Sequence, residues 1–191
     1  MTSDGLRPKN ECFSLDAFCD TVSLIPRGNK PRQRWVMTHS TLVPVSEDNL
    51  EALLDLTQEL VALSSYSITF DRDWTRAIAR GGMRASHMFG RMARLDNGTY
   101  VGMIIGSATP MMLTPQRIGV EETIYVREGT PFRASIAKQL LTALEVWAFG
   151  EMQVAFLRAG ETSEICPKAV DAFFRGCGFK RAGSIYKKER V

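Results

Sequence analysis

The stretch Glu121 to Gly150, EETIYVREGTPFRASIAKQLLTALEVWAFG, decides the fold. Thr123, Ile124, Tyr125 and Val126 are β-branched or aromatic and predict a strand. Arg127-Glu128-Gly129-Thr130-Pro131 has turn chemistry and ends it. Ile136, Leu140, Leu141, Leu144 and Trp147 then recur at three- and four-residue spacing, the apolar stripe of a helix with one buried face. A strand, a tight loop and a helix in succession aim loop N–H groups and a helix N-terminus at an anion. The same succession also serves as a plain βα unit without a ligand.

Working outward from that unit, residues 87–94 and 99–107 predict a hairpin closed by Leu95-Asp96-Asn97-Gly98, because Asn-Gly is a strong hairpin signal. Its second arm, Tyr100 to Gly106, is apolar on both faces and belongs in the middle of a sheet. Pro110 to Arg117 reads as a loop. Upstream, residues 41–45 (TLVPV) predict a first strand, with Pro44 at an edge or near its end. Ser46 is an N-cap, with Glu47 and Asp48 in the first turn of a helix that runs through about Ser64. Asp71-Arg72-Asp73 opens a second short helix, which Gly81-Gly82 is expected to end. Downstream, the expected elements are a strand Gln153 to Leu157, a helix Pro167 to Gly176 and a last strand Ser184 to Lys188. The order β, α, α, β, β, β, α, β, α, β places the chain in the α/β (α+β) class.

The 191 residues suffice for one domain with an appendage, and 45% hydrophobic with 24% charged residues is ordinary for a globular protein. The net charge of +3 is uneven: from Pro167 onward seven Lys or Arg stand against two acids, a balance of +5. A basic end can face a polyphosphate ligand, or be a solvated terminal strand. Nothing interleaves basic and aromatic residues as RNA-binding modules do, which argues against a nucleic-acid partner. Cys12, Cys19, Cys166 and Cys177 form no CxxC pair, and His39 and His87 lack metal-ligand spacing, which argues against a metal site. No apolar signal segment and no run approaching ~20 apolar residues is seen, so a reducing cytoplasm without membrane attachment is expected. Residues 1–36 read as an extension: prolines, glycines and a basic patch surround an apolar cluster that includes Phe13 and Phe18. Such a segment is expected either to stay disordered or to order on a protein partner, and the apolar cluster favours an arm that docks. The domain proper is then residues 37–191.

Three strings, Tyr100 to Gly106 (YVGMIIG), Leu140 to Ala148 (LLTALEVWA) and Ala172 to Gly183 (AFFRGCGFKRAG), together with the element order, resemble the Gcn5-related N-acetyltransferase superfamily over roughly residues 40–190. The ending Tyr186-Lys187-Lys188 is similar to small members carried by bacteriophages. The resemblance implies a mixed, twisted sheet flanked by helices and splayed between its fourth and fifth strands, with acetyl-CoA in the splay. Ile124, Tyr125 and Val126 would meet the pantetheine, and Arg127, Arg133, Ala134, Ser135, Ala137 and Lys138 the pyrophosphate. Acetyl would pass directly to a primary amine; Glu121 and Glu122 stand near the position where the family can carry a base, the alternative being that at least one of them simply faces solvent. The chain departs from the family at three places. Ile136, or Ser135 in the alternative register, stands where the cofactor loop has glycine, and a side chain there crowds a pyrophosphate. Phe174 replaces the tyrosine that serves as acid, and Ala159-Gly160-Glu161 replaces an asparagine. Two readings therefore stay open: an N-acetyltransferase of unspecified amine, or an acetyltransferase-like module with a structural or interaction role, such as a phage virion component or host-factor binder. The family also includes homo-oligomers formed by sheet pairing.

Overall fold

A computed structural model describes residues 40–65, 68–160 and 167–183. The strands are β1 (Ser40–Pro44), β2 (Met88–Leu95), β3 (Tyr100–Met111), β4 (Thr114–Val126) and β5 (Leu157–Arg158). The helices are α1 (Leu50–Leu63), α2 (Arg72–Arg84), α3 (Arg133–Val146) and α4 (Pro167–Gly176). The five strands form one mixed sheet in the order β1-β2-β3-β4-β5; only β4 and β5 are parallel. This is the α/β, splayed architecture the sequence predicts.

Strand side chains alternate between the two faces, so the sheet carries two cores. On one face Phe89, Ala93, Ile104, Ala108 and Val126 pack with Ile136, Leu140, Leu141 and Leu144 of α3 and Phe174 of α4. On the other, Met92, Met103 and Tyr125 pack with Leu50, Leu53, Leu54 and Leu56 of α1. Each fully buried leucine of α1 and α3 contributes about 1.5–3 kcal/mol of burial. Gly106 sets the depth of α3: a Cβ there would lie 2.4 Å from a Leu144 methyl. Ser46 N–H donates to the Asn49 side chain (2.9 Å), and Asn49 Nδ2 donates to the Pro44 carbonyl (2.8 Å), so the buried Asn49 fixes the passage from β1 into α1.

Three local expectations change, while the hairpin at Asp96-Asn97-Gly98 forms where it is expected. Pro110 to Arg117 is no loop: β3 and β4 pair on to Met111 and Thr114 around an exposed Met112-Leu113 tip. Prolines are tolerated there because the ribbon runs beyond its neighbouring strands. The helix α2 continues through Gly81-Gly82 to Arg84, with Met83 packed against the second core. At Gly98 (φ 87) only the glycine is left-handed, so the hairpin closes through a type I turn with a glycine bulge. The predicted strand Gln153 to Leu157 shrinks to Leu157–Arg158. A wide turn at Trp147–Glu151 precedes it, Met152 and Val154 bond back to Trp147 and Ala148, and Gln153 is left-handed (φ 51). The 1–36 extension and the last strand, with Tyr186-Lys187-Lys188, lie outside the described residues.

The site is positioned by the way β4 leaves β5. Ala155 N–H donates to the Arg117 carbonyl, Gly119 N–H to that of Phe156, and the ladder pairs Gly119 with Leu157 and Val120 with Arg158. The pairing ends there, while β4 runs on for six residues to Val126.

Candidate active site

Beyond the Val120–Arg158 pair, residues 123–126 ladder with β3 and, among the described residues, not with β5. Arg127 N–H donates to the Val101 carbonyl at 2.8 Å. The trans, planar peptide then turns the Val126 carbonyl away from β3. The two-residue alternation of an antiparallel ladder places the N–H and C=O of Ile124 on that same free edge. Ile124 and Val126 therefore offer main-chain donors and acceptors where β5 has parted, while Tyr125 turns its buried ring to the α1 face.

A bulge divides the two acids. Between Ile105/Gly106 and Thr123/Glu121 the register skips Glu122, and such bulges re-aim a side chain. Glu121 is buried, pairs with Gly106 and accepts from Gly160 N–H at 3.4 Å, bridging β4 to the chain just past β5. Glu122 is exposed and accepts from the Ser107 hydroxyl at 2.5 Å. Ser107 lies between Gly106 and Ala108, both turned toward α3, so this pair stands on the α1 face. Ser107 was not singled out by sequence reasoning. Its one signal is a hydroxyl closing the apolar run Tyr100 to Gly106.

At the start of α3, Phe132 is the N-cap in the left-handed region (φ 56, ψ 31), and no side chain caps the helix. The first-turn N–H groups thus lack the usual side-chain acceptor. Arg133, the first helical residue, donates from Nε to the Val126 carbonyl at 2.8 Å. Ala134 and Ala137 are half-buried, whereas Ser135 and Lys138 are exposed. Ile136 is 3% exposed and belongs to the core with Leu140. Its side chain therefore points inward, and Ser135 is the one of the pair that stands at the helix surface. Ser135 and Lys138 also line a cleft of about 590 Å³ between α3 and the β1–β2 edge, with Leu42, Phe89, Arg91 and Trp147.

Arg127 sits apart from this group. Its guanidinium pairs with Glu59 of α1 (Nη2–Oε1 2.6 Å, Nε–Oε2 2.9 Å) and donates to the Tyr100 carbonyl. The Glu59 hydrogen bond raises the Arg127 pKa further above its ordinary range. Tyr125 Oη reaches the same carboxylate at 3.4 Å, and burial, then the Glu59 charge, push the phenol pKa up. The structure thus brings Arg133 to the free edge at Val126, turns Ser135 and Lys138 to the cleft beside β1–β2, and holds Arg127 with Glu59.

The helix α4 ends in a Schellman motif: Phe179 N–H donates to Phe174 O, Gly178 N–H to Arg175 O, and Gly178 has φ 89. The rings of Phe174 and Phe179 pack 5.4 Å apart, and Phe174 is buried. Cys177 is half-buried, and burial pushes its thiol pKa up. Among the described residues no cluster of His, Cys, Asp and Glu could hold a metal, and no helix is long and apolar enough to cross a membrane.

No protein-family model matches the chain, and no curated protein matches it in sequence. Solved structures do match. An aminoglycoside N-acetyltransferase AAC(6')-Iy in complex with CoA superimposes at a TM-score of 0.65 with 19% identity, over 88% of this chain and 100% of that one. The aminoglycoside 6'-N-acetyltransferase AAC(6')-Ih from Acinetobacter baumannii gives 0.62 with 19% identity, over 80% and 99%. A ribosomal-protein-alanine N-acetyltransferase from Brucella melitensis biovar Abortus 2308 gives 0.61 with 18% identity, over 80% and 99%. The fold is that of the Gcn5-related N-acetyltransferases.

Proposed function

We propose that the chain is an acetyl-CoA-dependent N-acetyltransferase acting on a primary amine. One observation carries this reading: the free edge at Ile124 and Val126, opened where β5 leaves β4 and followed directly by an uncapped helix start. An extended amide chain adds to such an edge as a strand would, and an anionic head suits the helix N-terminus. Acetyl-CoA has both parts and supplies the acetyl group as an activated thioester. Ile124, Tyr125 and Val126 would hold its arm. Arg133 and the first turn, Ala134, Ser135 and Ala137, would hold its phosphates, with Lys138 one turn on. Arg127 is engaged by Glu59 and is left out of this set.

The chain's own residues provide for the proton. An amine is nucleophilic only after losing a proton. Glu122 is exposed, held by Ser107, and stands where the bulge turns it to the α1 face. It would accept that proton, directly or through water. Glu121, buried against Gly160, would keep the two strands in register where they part. Phe174 has no proton to give, so the leaving thiolate would be protonated from solvent.

The test is calorimetry of acetyl-CoA with the whole protein, followed by thiol release with an aminoglycoside, an alanine-terminal peptide and a polyamine as acceptors. Saturable binding and release with one acceptor class are expected. Absence of binding at millimolar acetyl-CoA overturns the reading in favour of a non-catalytic module.

A further inference from the structure

We infer that two copies of this chain pair through the outward face of α2, antiparallel about a two-fold axis. The inference is independent of the function proposed above. The helix α2 has two apolar faces. Ala79 and Met83 turn inward to the second core. Trp74, Ala77, Ile78 and Gly81 recur at helical spacing on the opposite side, and all four are exposed. Trp74 is 67% and Ile78 55% exposed, so an aromatic and a branched aliphatic side chain stand one turn apart in water. Gly81 shares their stripe, and packing inside the chain does not call for a glycine there: a Cβ would meet nothing within 4 Å beyond its own helix. A glycine inside a helix weakens it. The face thus offers a knob, Trp74, and a gap, Gly81, two turns apart.

A second copy fits this face because the face complements itself. With the two-fold axis between Ala77 and Ile78, Trp74 of each helix lies over Gly81 of the other, since both stand equally far from the axis. The indole fills the gap left by the missing Cβ, and the small Ala77 lets the two helices approach. The charges agree with the same register. Arg72, Arg76 and Arg80 are held by Glu51, Asp55 and Glu47 on the α1 side. Asp73, although ion-paired with Arg76, keeps its side chain exposed, and Arg84 is exposed too. These two residues stand on one flank of the stripe, about three turns apart. The two-fold axis brings like flanks together, so Asp73 of each copy comes within about 3 Å, along the helix, of Arg84 of the other. Antiparallel helix dipoles add to the attraction. A parallel pair would instead set Trp74 on Trp74 and like charge beside like charge. Two short helices bury less than a standard interface, so the dimer belongs to the weak, transient class.

The experiment is sedimentation velocity of the whole protein over a rising concentration series, with melting curves for each variant. Wild type is expected to associate reversibly to a dimer. Trp74→Ala weakens the association about tenfold or more, as loss of a central aromatic anchor does. Gly81→Leu moves two readouts in different directions. Its melting temperature holds or rises, because a good helix former replaces glycine in open space. Its association falls about tenfold or more, because the gap for the indole is filled. Asp73→Arg and Arg84→Glu each weaken the dimer about threefold, and the double variant restores it, since each copy then carries the same pair reversed. A wild type that stays monomeric at millimolar concentration overturns the inference. So does a dimer that Trp74→Ala and Gly81→Leu leave unchanged. A double swap no tighter than the single ones overturns the antiparallel register, and the inference with it.

Discussion

The hydroxyl of Ser107 donates to the carboxylate of Glu122 across the β3–β4 ladder, at the residue that the bulge leaves without a register partner. A buried serine thus fixes an exposed acid. Replacing Glu122 by Gln is expected to lower kcat by about 10²-fold or more, as loss of a general base does, and to leave the dissociation constant of acetyl-CoA unchanged. Steady-state rates alongside calorimetry check this. A Glu122→Gln variant that turns over at the wild-type rate would move the base elsewhere.

Ile136 and Ser135 should respond in opposite ways. Ile136 is sealed in the core, so Ile136→Gly removes packing and adds helix-interior flexibility; it should cost about 3 kcal/mol or more of stability. Ser135 is exposed, so Ser135→Gly should cost at most about 1 kcal/mol. It should also tighten CoA, because the backbone at the helix start is then open to closer approach. Urea unfolding and calorimetry separate the two effects.

At Gly106 the prediction concerns packing alone. A methyl group there meets Leu144 at 2.4 Å, so Gly106→Ala must lift α3 or displace that leucine. A loss of about 1–3 kcal/mol is expected from overpacking, measured as a lower urea midpoint with an unchanged slope.

The α1–α2 face carries a pH dependence. The Arg80 guanidinium holds Glu47 below the usual carboxylate range, and Arg72 and Arg76 do the same for Glu51. A lowered folded pKa means that the stabilisation is present above the ordinary value of 4.5 and is lost as pH falls through the lower folded value. Both acids are fully exposed, so the effect should also fade with salt. The gap in Tm between wild type and Glu51→Gln should be open at pH 6 in low salt and closed at pH 3. A gap that widens in acid would contradict the pairing.

Much of the architecture was legible because periodic patterns are local. The leucines of α1, the stripe of α3 and the turn at Asn97-Gly98 each identify their element from a few neighbouring residues. The pattern failed where distant packing overrides local preference. Pro110 and the Met112-Leu113 tip look like a loop, yet pairing of Thr109 with Ile118 and of Pro110 with Arg117 carries the strands on. Gly81-Gly82 looks like a stop, yet Met83 gains enough by packing on the second core to hold the helix through it. The edge at Ile124 to Val126 was legible as strand. What claims its groups was not: Glu59 reaches Arg127 from 68 residues away, and Arg133 folds back on Val126 across a turn.

The parting of β4 from β5 has a consequence for how this sheet meets other chains. A sheet ordinarily exposes hydrogen-bonding rims only at its two outermost strands, and those rims invite indiscriminate pairing. Here an inner strand also presents such a rim, at Ile124 and Val126, but it does so in the angle between two strands that are still joined at Gly119 and Val120. Among the described residues, this rim lies inside the sheet beside a strand still joined to its neighbour, and not on an outer strand that another sheet could extend.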